Sequence, residues 1–290
     1  MKNPYLILSL VAFLLVLYIC LYVYYKKGKR KIINVKLQKS RIEILREYKE
    51  YDADHEEIRY GYSFKMNNEV PKLLEKYNFS EYMKGISPES DDFVFRLLSF
   101  VGEHFRHNSE ISLPHNHTIV DIIEAYEQNG KKTNCRGLSL ILAELLRING
   151  IKARHVTCKP FEEPFNDCHV VVDCILPSGK RIMLDPTMRL YLKNKQGEFI
   201  SIERFREGLI EGEQFFENKE ASYNGGKFDR VWYMEYMSKN LFRFSVSLDN
   251  ADVRREDERR EVELIPRDYK IEGFPRWKVF VYNPSSFWKI

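Results

Sequence analysis

The hydrophobic pattern begins with one long apolar run. Residues 4–25 contain 22 positions and no charged side chain, a length that spans about 30 Å of hydrocarbon at roughly 1.5 Å per helical residue. No small-residue cleavage site follows the run, as it would after a secretory signal peptide. The pattern predicts a retained transmembrane helix, which forms a membrane anchor with its basic flank over residues 1–31.

The flank of this run is strongly basic. Lys2 precedes it, and eight basic residues follow it with no acidic residue among them: Lys26, Lys27, Lys29, Arg30, Lys31, Lys36, Lys39 and Arg41. The positive-inside rule places this flank, and the soluble part of the chain with it, in the cytoplasm. The same residues would contact anionic headgroups, so membrane lipids are one expected partner.

A linker and three helices are predicted next. Residues 32–66 are rich in charge and favour a helical stalk or linker. Residues 91–107 carry an apolar stripe at helical spacing, and a shorter helix ends at Asn129-Gly130. A third helix covers CRGLSLILAELLRING at 135–150, with Thr133 or Asn134 as its cap and Gly150 in its left-handed stop.

After residue 150 the pattern changes to that of strands. Residues 152–160, 168–176 and 181–187 are β-branched and apolar runs bounded by turn residues, and PSGK at 177–180 predicts a hairpin turn. Helices followed by a small antiparallel sheet indicate an α+β fold. A further helix over 198–217 closes the predicted core, which covers 67–217.

The remainder of the chain is predicted to be a β-rich extension, 218–290, packed on the core. Residues 241–248 alternate between apolar and polar side chains, which is typical of a half-buried strand. A charged loop at 252–263 and two more strand-like pieces complete it.

Composition narrows the function classes. The net charge of +4 is modest, so nucleic acid is not an expected partner. Five cysteines without a dense framework favour a reducing compartment.

Cys135 is the first candidate for chemistry, because it lies at the predicted start of a helix. A thiolate forms more easily there, where the helix dipole and free N–H groups favour negative charge. The Cys135 N–H, with a neighbouring donor, would also stabilise an oxyanion. The alternative is a small buried hydrophobic residue, which describes most free cysteines.

His169 and Asp185 are the candidate partners of this thiol. Of the seven histidines, most fall on predicted helix surfaces or loops, whereas His169 opens a strand. Counting outward from Ser178-Gly179 puts His169 opposite Met188, three residues from Asp185. His169 would accept the thiol proton and later protonate the leaving amine, while Asp185 would orient the ring. Alternatively, His169 is a hydrogen-bonded core residue and Asp185, before a proline, starts a turn.

Three motifs in this order resemble the transglutaminase-like (papain-related) superfamily. They are NCRGLSLILAELLRINGIKARHV, CHVVVDC and RIMLDPT. The resemblance runs over 90–215 and implies a transglutaminase-like core, in which the nucleophile helix packs on an antiparallel sheet. It implies a triad of Cys135, His169 and Asp185. No residue matches the auxiliary oxyanion donor of the family, and Ile182-Met183 stands where relatives often have tryptophan.

Metal sites are not predicted. The cysteines at 158, 168 and 174 with His169 contain no C-x-x-C pair, and successive residues of a strand point to opposite faces. No acidic loop suits calcium. We therefore expect no metal and no cofactor. Asn134 and Arg136 flank the nucleophile and either position substrate or lie at the surface.

The first functional hypothesis is a membrane-anchored thiol enzyme that acts on amide bonds of a protein or peptide through a thioester. It would be a cysteine protease or a transglutaminase-type acyltransferase, with hydrolysis slightly favoured by the resemblance. The alternative is a catalytically silent scaffold or binding module at the membrane, since fold does not fix function. A third possibility is acyl transfer from a small-molecule thioester, as in arylamine acetyltransferases.

Overall fold

The computed structural model describes residues 4–55, 61–64, 69–115, 118–162, 167–248, 260–271 and 278–290, without the side chains of 4–11 and 31. The predicted charged loop at 252–263 lies mostly outside these residues. The helices are α1 (Pro4–Glu47), α2 (Val70–Leu74), α3 (Phe79–Met83), α4 (Asp91–His104), α5 (Ile119–Gln128), α6 (Cys135–Ile148), α7 (Ile202–Glu211), α8 (Arg230–Asn240) and α9 (Pro284–Trp288).

Twelve strands accompany these helices in the described part of the chain. They are β1 (Arg106–His107), β2 (Lys132–Thr133), β3 (Ala153–Lys159), β4 (His169–Ile175), β5 (Arg181–Leu184), β6 (Leu192–Lys193), β7 (Phe216–Glu217), β8 (Ser222–Tyr223), β9 (Gly226–Lys227), β10 (Arg243–Ser247), β11 (Glu261–Leu264) and β12 (Lys278–Val281). Six of them form the central sheet, in the order β12-β11-β10-β3-β4-β5.

Helix α6 confirms the predicted third helix. Asn134 is its N-cap, and the side-chain oxygen of Asn134 accepts the N–H of Gly137 at 3.0 Å. The helix buries its apolar side chains against β3 and β4, so hydrophobic burial fixes it on the sheet. Gly150 adopts the left-handed conformation after the helix, at φ +77°. The first turn of α6 is therefore held at one end of the sheet.

The β4–β5 hairpin confirms the predicted antiparallel pair. Val172 pairs with Leu184 and Ile175 with Arg181. The register differs by one residue from the predicted one, which would have paired Val172 with Asp185. The sheet is antiparallel at every pair except β11–β12, which is parallel.

The last strands extend the same sheet, and β10 is not half-buried as predicted. It lies between β3 and β11, and all five of its residues are buried. Its polar positions are accommodated because Arg243 forms an ion pair with Glu263 at 3.0 Å. The predicted domain boundaries at 67, 217 and 218 stay predictions.

Two helices differ from the sequence-based expectation. The helix predicted over 198–217 is shorter, since α7 ends before Gly212, which adopts φ +80°. Helix α8, at Arg230–Asn240, lies in a segment that we predicted to be β-rich. Helix α1 packs along α8 and also contacts α7.

The predicted membrane anchor is not supported. Over the residues described, no helix has an apolar stretch long enough to cross a membrane. The predicted cytoplasmic location and the lipid contacts of the basic flank stay predictions.

Candidate active site

The structure brings Cys135, His169 and Asp185 together. Cys135 opens α6, His169 opens β4, and Asp185 directly follows β5. The Nε2 atom of His169 lies 2.7 Å from Oδ2 of Asp185, and the thiol of Cys135 hydrogen-bonds the His169 ring. Since Nε2 is taken by the carboxylate, Nδ1 remains for the thiol. The arrangement is that of a nucleophile, a base and an orienting acid.

Asp185 is held from four directions in a site with no solvent exposure. Its Oδ1 accepts the backbone N–H groups of Thr187 at 3.0 Å and Met188 at 3.3 Å. Its Oδ2 accepts the hydroxyl of Tyr233 at 2.9 Å, beside the bond from His169. Asp185 thus both starts a turn and fixes the histidine ring, so the two interpretations of this residue are compatible.

Several interactions act on the pKa of His169, which is buried. Burial lowers this pKa, but the Asp185 carboxylate and the Cys135 thiol raise it by more than burial lowers it, and the resulting pKa is about 10. The ring of Tyr236 packs edge-on against the imidazole, with 5.4 Å between centroids. The raised pKa favours the cationic form of the His169 ring.

The thiol of Cys135 is the hydrogen-bond partner of the His169 ring, and its pKa is shifted as well. Burial raises its pKa, but hydrogen bonds with His107 and His169 outweigh burial and lower the pKa to about 6. Cys135 is partly exposed. The thiols of Cys158, Cys168 and Cys174 differ, since burial raises the pKa of each. Of these four thiols, Cys135 is therefore the one whose pKa favours the thiolate form.

His107 is a member of the site that the sequence did not indicate. The pattern placed it in the helix over 91–107, but α4 ends at His104 and residues 106–107 form β1. Strand β1 runs parallel to β2, where His107 pairs with Thr133, two residues before the nucleophile. No local pattern could have shown this, because a two-residue strand depends entirely on its distant partner.

A hairpin from the C-terminal segment holds His107. The Nδ1 atom of His107 lies 3.1 Å from the hydroxyl of Tyr223. The backbone N–H of His107 donates to Oδ1 of Asn224 at 2.8 Å, and Nδ2 of Asn224 donates to the His107 carbonyl at 3.0 Å. Asn224 and Gly225 form the turn between β8 and β9, with φ +50° and +78°, which suits a type I′ hairpin.

Helix α8 forms one wall of the site. Tyr233 donates to Asp185, and the hydroxyl of Tyr236 donates to the carbonyl of Cys168 at 3.2 Å. Trp232 stacks on Tyr236 with centroids 4.9 Å apart. Sequence reasoning missed these roles, since the helix itself was not predicted.

A cleft of about 460 Å³ opens beside the two histidines, within the usual size range of ligand sites. Apart from the two histidines, five of its thirteen lining residues are aromatic or apolar, and its polar members come from several elements. The lining residues are Arg30, His107, Ser109, Asp167, His169, Thr187, Met188, Tyr223, Lys227, Phe228, Asp229, Trp232 and Tyr236. A larger cavity of about 730 Å³ lies along α4 and includes none of the predicted site residues.

The two flanking residues have structural partners. Besides capping α6, the Asn134 side chain donates to the carbonyl of Ile111 at 2.9 Å. Nη2 of Arg136 donates to the hydroxyl of Thr157 at 3.0 Å. A role for either in positioning substrate stays a prediction. Within the described ranges, no three His, Cys, Asp or Glu side chains are grouped to hold a metal ion.

Comparison with protein-family models matches residues 77–186 to the transglutaminase-like superfamily. The match includes Cys135, His107, His169 and Asp185, and covers less than half of the chain. The chain therefore contains a transglutaminase-like domain, of a superfamily that includes cysteine-dependent enzymes and inactive members. Neither the curated proteins nor the solved structures gave a match.

Proposed function

We propose that this protein is a thiol enzyme that acts on amide bonds of a protein or peptide through a thioester on Cys135. The observation that carries the proposal is the hydrogen-bonded series of Cys135, His169 and Asp185, in which Nε2 of His169 lies 2.7 Å from Oδ2 of Asp185 and the pKa of the Cys135 thiol is lowered. A low-pKa thiol beside an oriented base is the arrangement that covalent amide chemistry needs.

The reaction follows from the charges of this pair. The Cys135 thiolate attacks the amide carbon, and the carbonyl π electrons move to oxygen. As the oxyanion collapses, the C–N bond breaks and the His169 imidazolium gives its proton to the leaving nitrogen. A thioester remains on Cys135. His169, now neutral, then removes a proton from water or from an incoming amine, which attacks the thioester and releases the acyl group.

The fate of the thioester decides between a peptidase or deamidase and an acyltransferase. We favour hydrolysis, because the cleft beside His169 is open to solvent and nothing described reserves it for an amine. The aromatic residues of the cleft, Tyr223, Phe228, Trp232 and Tyr236, would contact the substrate chain on either side of the amide.

The first test is the pH dependence of alkylation of Cys135 by iodoacetamide in the full chain, followed by mass spectrometry. We expect the rate to be half-maximal near pH 6, and the His169→Ala variant to need a higher pH, shifted toward the free thiol value of about 8.5. Cys168 in the same sample is the internal control, since burial raises the pKa of its thiol.

The opposite result would be equally clear. A Cys135 thiol with an ordinary pKa, unchanged in His169→Ala, would contradict the proposal and favour the silent scaffold. If the pair is present, screening with peptide amides distinguishes the outcomes: release of a free carboxylate indicates hydrolysis, and incorporation of a labelled amine indicates transfer.

A further inference from the structure

His107 contacts the reactive thiol and is fixed by residues outside the matched domain. Its ring hydrogen-bonds Cys135. Besides the pairing of His107 with Thr133 on β2, Tyr223 and Asn224 on the β8–β9 hairpin hold its ring and its backbone. The mechanism above has no task for a second histidine, because His169 already serves as base and acid.

The hydroxyl of Tyr223 lies 3.1 Å from Nδ1 of His107, so Nε2 is the ring nitrogen left to face the thiol. When this phenol donates its hydrogen to Nδ1, Nδ1 is an acceptor and the ring proton is on Nε2. Nε2–H is then the hydrogen-bond donor that faces the thiol. The two hydrogen bonds between the Asn224 side chain and the His107 backbone fix the position of this donor.

A second donor lies beside the same sulfur. Cys135 is the first residue of α6, so its backbone N–H has no acceptor within the helix. A carbonyl attacked by this sulfur would therefore meet two N–H groups, one from the main chain and one from an imidazole. Two such donors are the usual composition of an oxyanion hole.

We propose, on the basis of the thiol-enzyme function above, that His107 is a catalytic residue whose Nε2–H stabilises the oxyanion, and that Tyr223 positions it by fixing its tautomer. In the resting enzyme the donor binds the thiolate. When the S–C bond forms, the negative charge moves from sulfur to the former carbonyl oxygen, and the hydrogen bond follows it. No proton leaves His107 in this step.

Two probes separate this role from simple support of the thiolate. Iodoacetamide reacts by displacement at a saturated carbon, so no oxyanion forms. p-Nitrophenyl acetate reacts through a tetrahedral oxyanion. The thiolate adds to the ester carbon, the bond from that carbon to the phenolic oxygen breaks, nitrophenolate departs, and an acetyl thioester remains on Cys135. The experiment compares the limiting high-pH rates of both reactions in the full chain, for the wild type, His107→Ala, His107→Gln and Tyr223→Phe.

We expect His107→Ala to lower the acylation rate by roughly 10²–10³-fold, with less than about threefold change in limiting alkylation. His107→Gln keeps an N–H donor and should recover part of the acylation rate. Tyr223→Phe should lie between these variants, because it leaves the ring in place but frees the tautomer. His55→Ala, an exposed histidine paired with Asp52, is the matched control and should match the wild type in both reactions.

Two results would overturn the proposal. Equal losses in both reactions would mean that His107 only supports the thiolate or the fold, and unchanged rates would mean that it does neither. Failure of the thiol-enzyme function itself has a different signature, since Cys135 of the wild type would then show no preferential reaction with either probe.

Discussion

At the scale of single residues, the reactive thiol depends on a buried charge pair. Burial alone would raise the pKa of Cys135 and lower that of His169, yet both values move in the opposite direction. The Asp185 carboxylate raises the pKa of His169, and hydrogen bonds from His107 and His169 lower the pKa of the Cys135 thiol. Under the proposed function, activity would require Cys135, His169 and Asp185 together.

Asp185→Asn should therefore abolish most of the activity without unfolding the chain. The amide would donate to His169 rather than accept from it, and the ring would present the wrong nitrogen to Cys135. We expect hydrolysis of p-nitrophenyl acetate to fall by on the order of 10³–10⁴-fold, with a melting temperature close to that of the wild type. Asp54→Asn, at an exposed position, is the control; equal rates in both variants would contradict the role of Asp185.

The pH profile should depend on the leaving group. Acylation by an ester needs only the thiolate, so its rate should rise as the pH passes about 6 and then stay level. Cleavage of a peptide p-nitroanilide also needs the His169 proton, which is lost as the pH rises through about 10. Initial rates between pH 4 and 11 should give a single limb for the ester and a bell for the anilide. A bell for both substrates would assign the upper limb to something other than His169.

At the scale of secondary-structure elements, the β8–β9 hairpin and helix α8 complete the site from outside the matched domain. Asn224 of the hairpin hydrogen-bonds the backbone of β1, and Tyr233 of α8 donates a hydrogen bond to Asp185. Both elements follow residue 186, where the family match ends. The domain thus supplies the reacting groups, and the later elements fix their orientation.

Asn224→Gly tests the hairpin grip with little backbone strain, since glycine accepts the positive φ of this position. The variant loses the two bonds to the His107 backbone, each worth about 1 kcal/mol. We expect the acylation rate to fall by roughly tenfold, measured with p-nitrophenyl acetate. Asn78→Gly removes a second asparagine at φ +56°, at the N-cap of α3, and should leave the rate unchanged; a similar loss there would indicate a general effect on folding.

The sequence predicted those elements whose cause is local. The cap at Asn134, the apolar face of α6 and the turn at 177–180 all lie within a few residues of what they determine, and the structure confirms these elements. The order of Cys135, His169 and Asp185 was readable for the same reason, since each lies at the end of a predicted element.

The elements that the sequence missed depend on distant contacts. Strand β1 exists only because β2 lies beside it, so His107 looked like a helical residue. Helix α8 lacks one apolar face, because α1 covers one side and the sheet the other. Its buried residues therefore lie around the helix and include polar ones: Tyr233, Met234, Glu235, Met237, Ser238 and Asn240.

At the scale of the whole molecule, one buried ionic cluster joins the core strands to the last part of the sheet. Glu263 of β11 has no solvent exposure and forms ion pairs with Lys159 of β3, Arg243 of β10 and Lys278 of β12. Four neighbouring strands thus share one carboxylate. Its loss would leave three cations without their common partner.

Glu263→Gln should consequently lower the free energy of unfolding by about 3–5 kcal/mol, as when a buried ion pair loses one member. Urea unfolding followed by circular dichroism measures this. Glu50→Gln breaks an exposed pair with Lys49 and should cost about 0–1 kcal/mol. Similar values for the two variants would show that the cluster does not stabilise the sheet.

The same cluster predicts acid sensitivity. Burial raises the pKa of Glu263, but its three cationic neighbours lower the pKa by more than burial raises it, and the resulting pKa is about 2. Because the pKa of Glu263 is lower in the folded state, this carboxylate stabilises the fold at pH values above its ordinary pKa of 4.5. This contribution is lost as the pH falls toward 2. The difference in stability between the wild type and Glu263→Gln should therefore shrink below pH 4.5.

The division of the site between two stretches of chain has an evolutionary consequence. The reacting groups lie within residues 77–186, whereas Tyr223, Phe228, Trp232 and Tyr236 of the cleft wall come later in the chain. Under the proposed function, substitutions in the later stretch that spare the contacts of Tyr223, Asn224 and Tyr233 would alter which substrates are accepted without altering the nucleophile. Descendants of this chain would then diversify in selectivity while inheriting the same proposed chemistry.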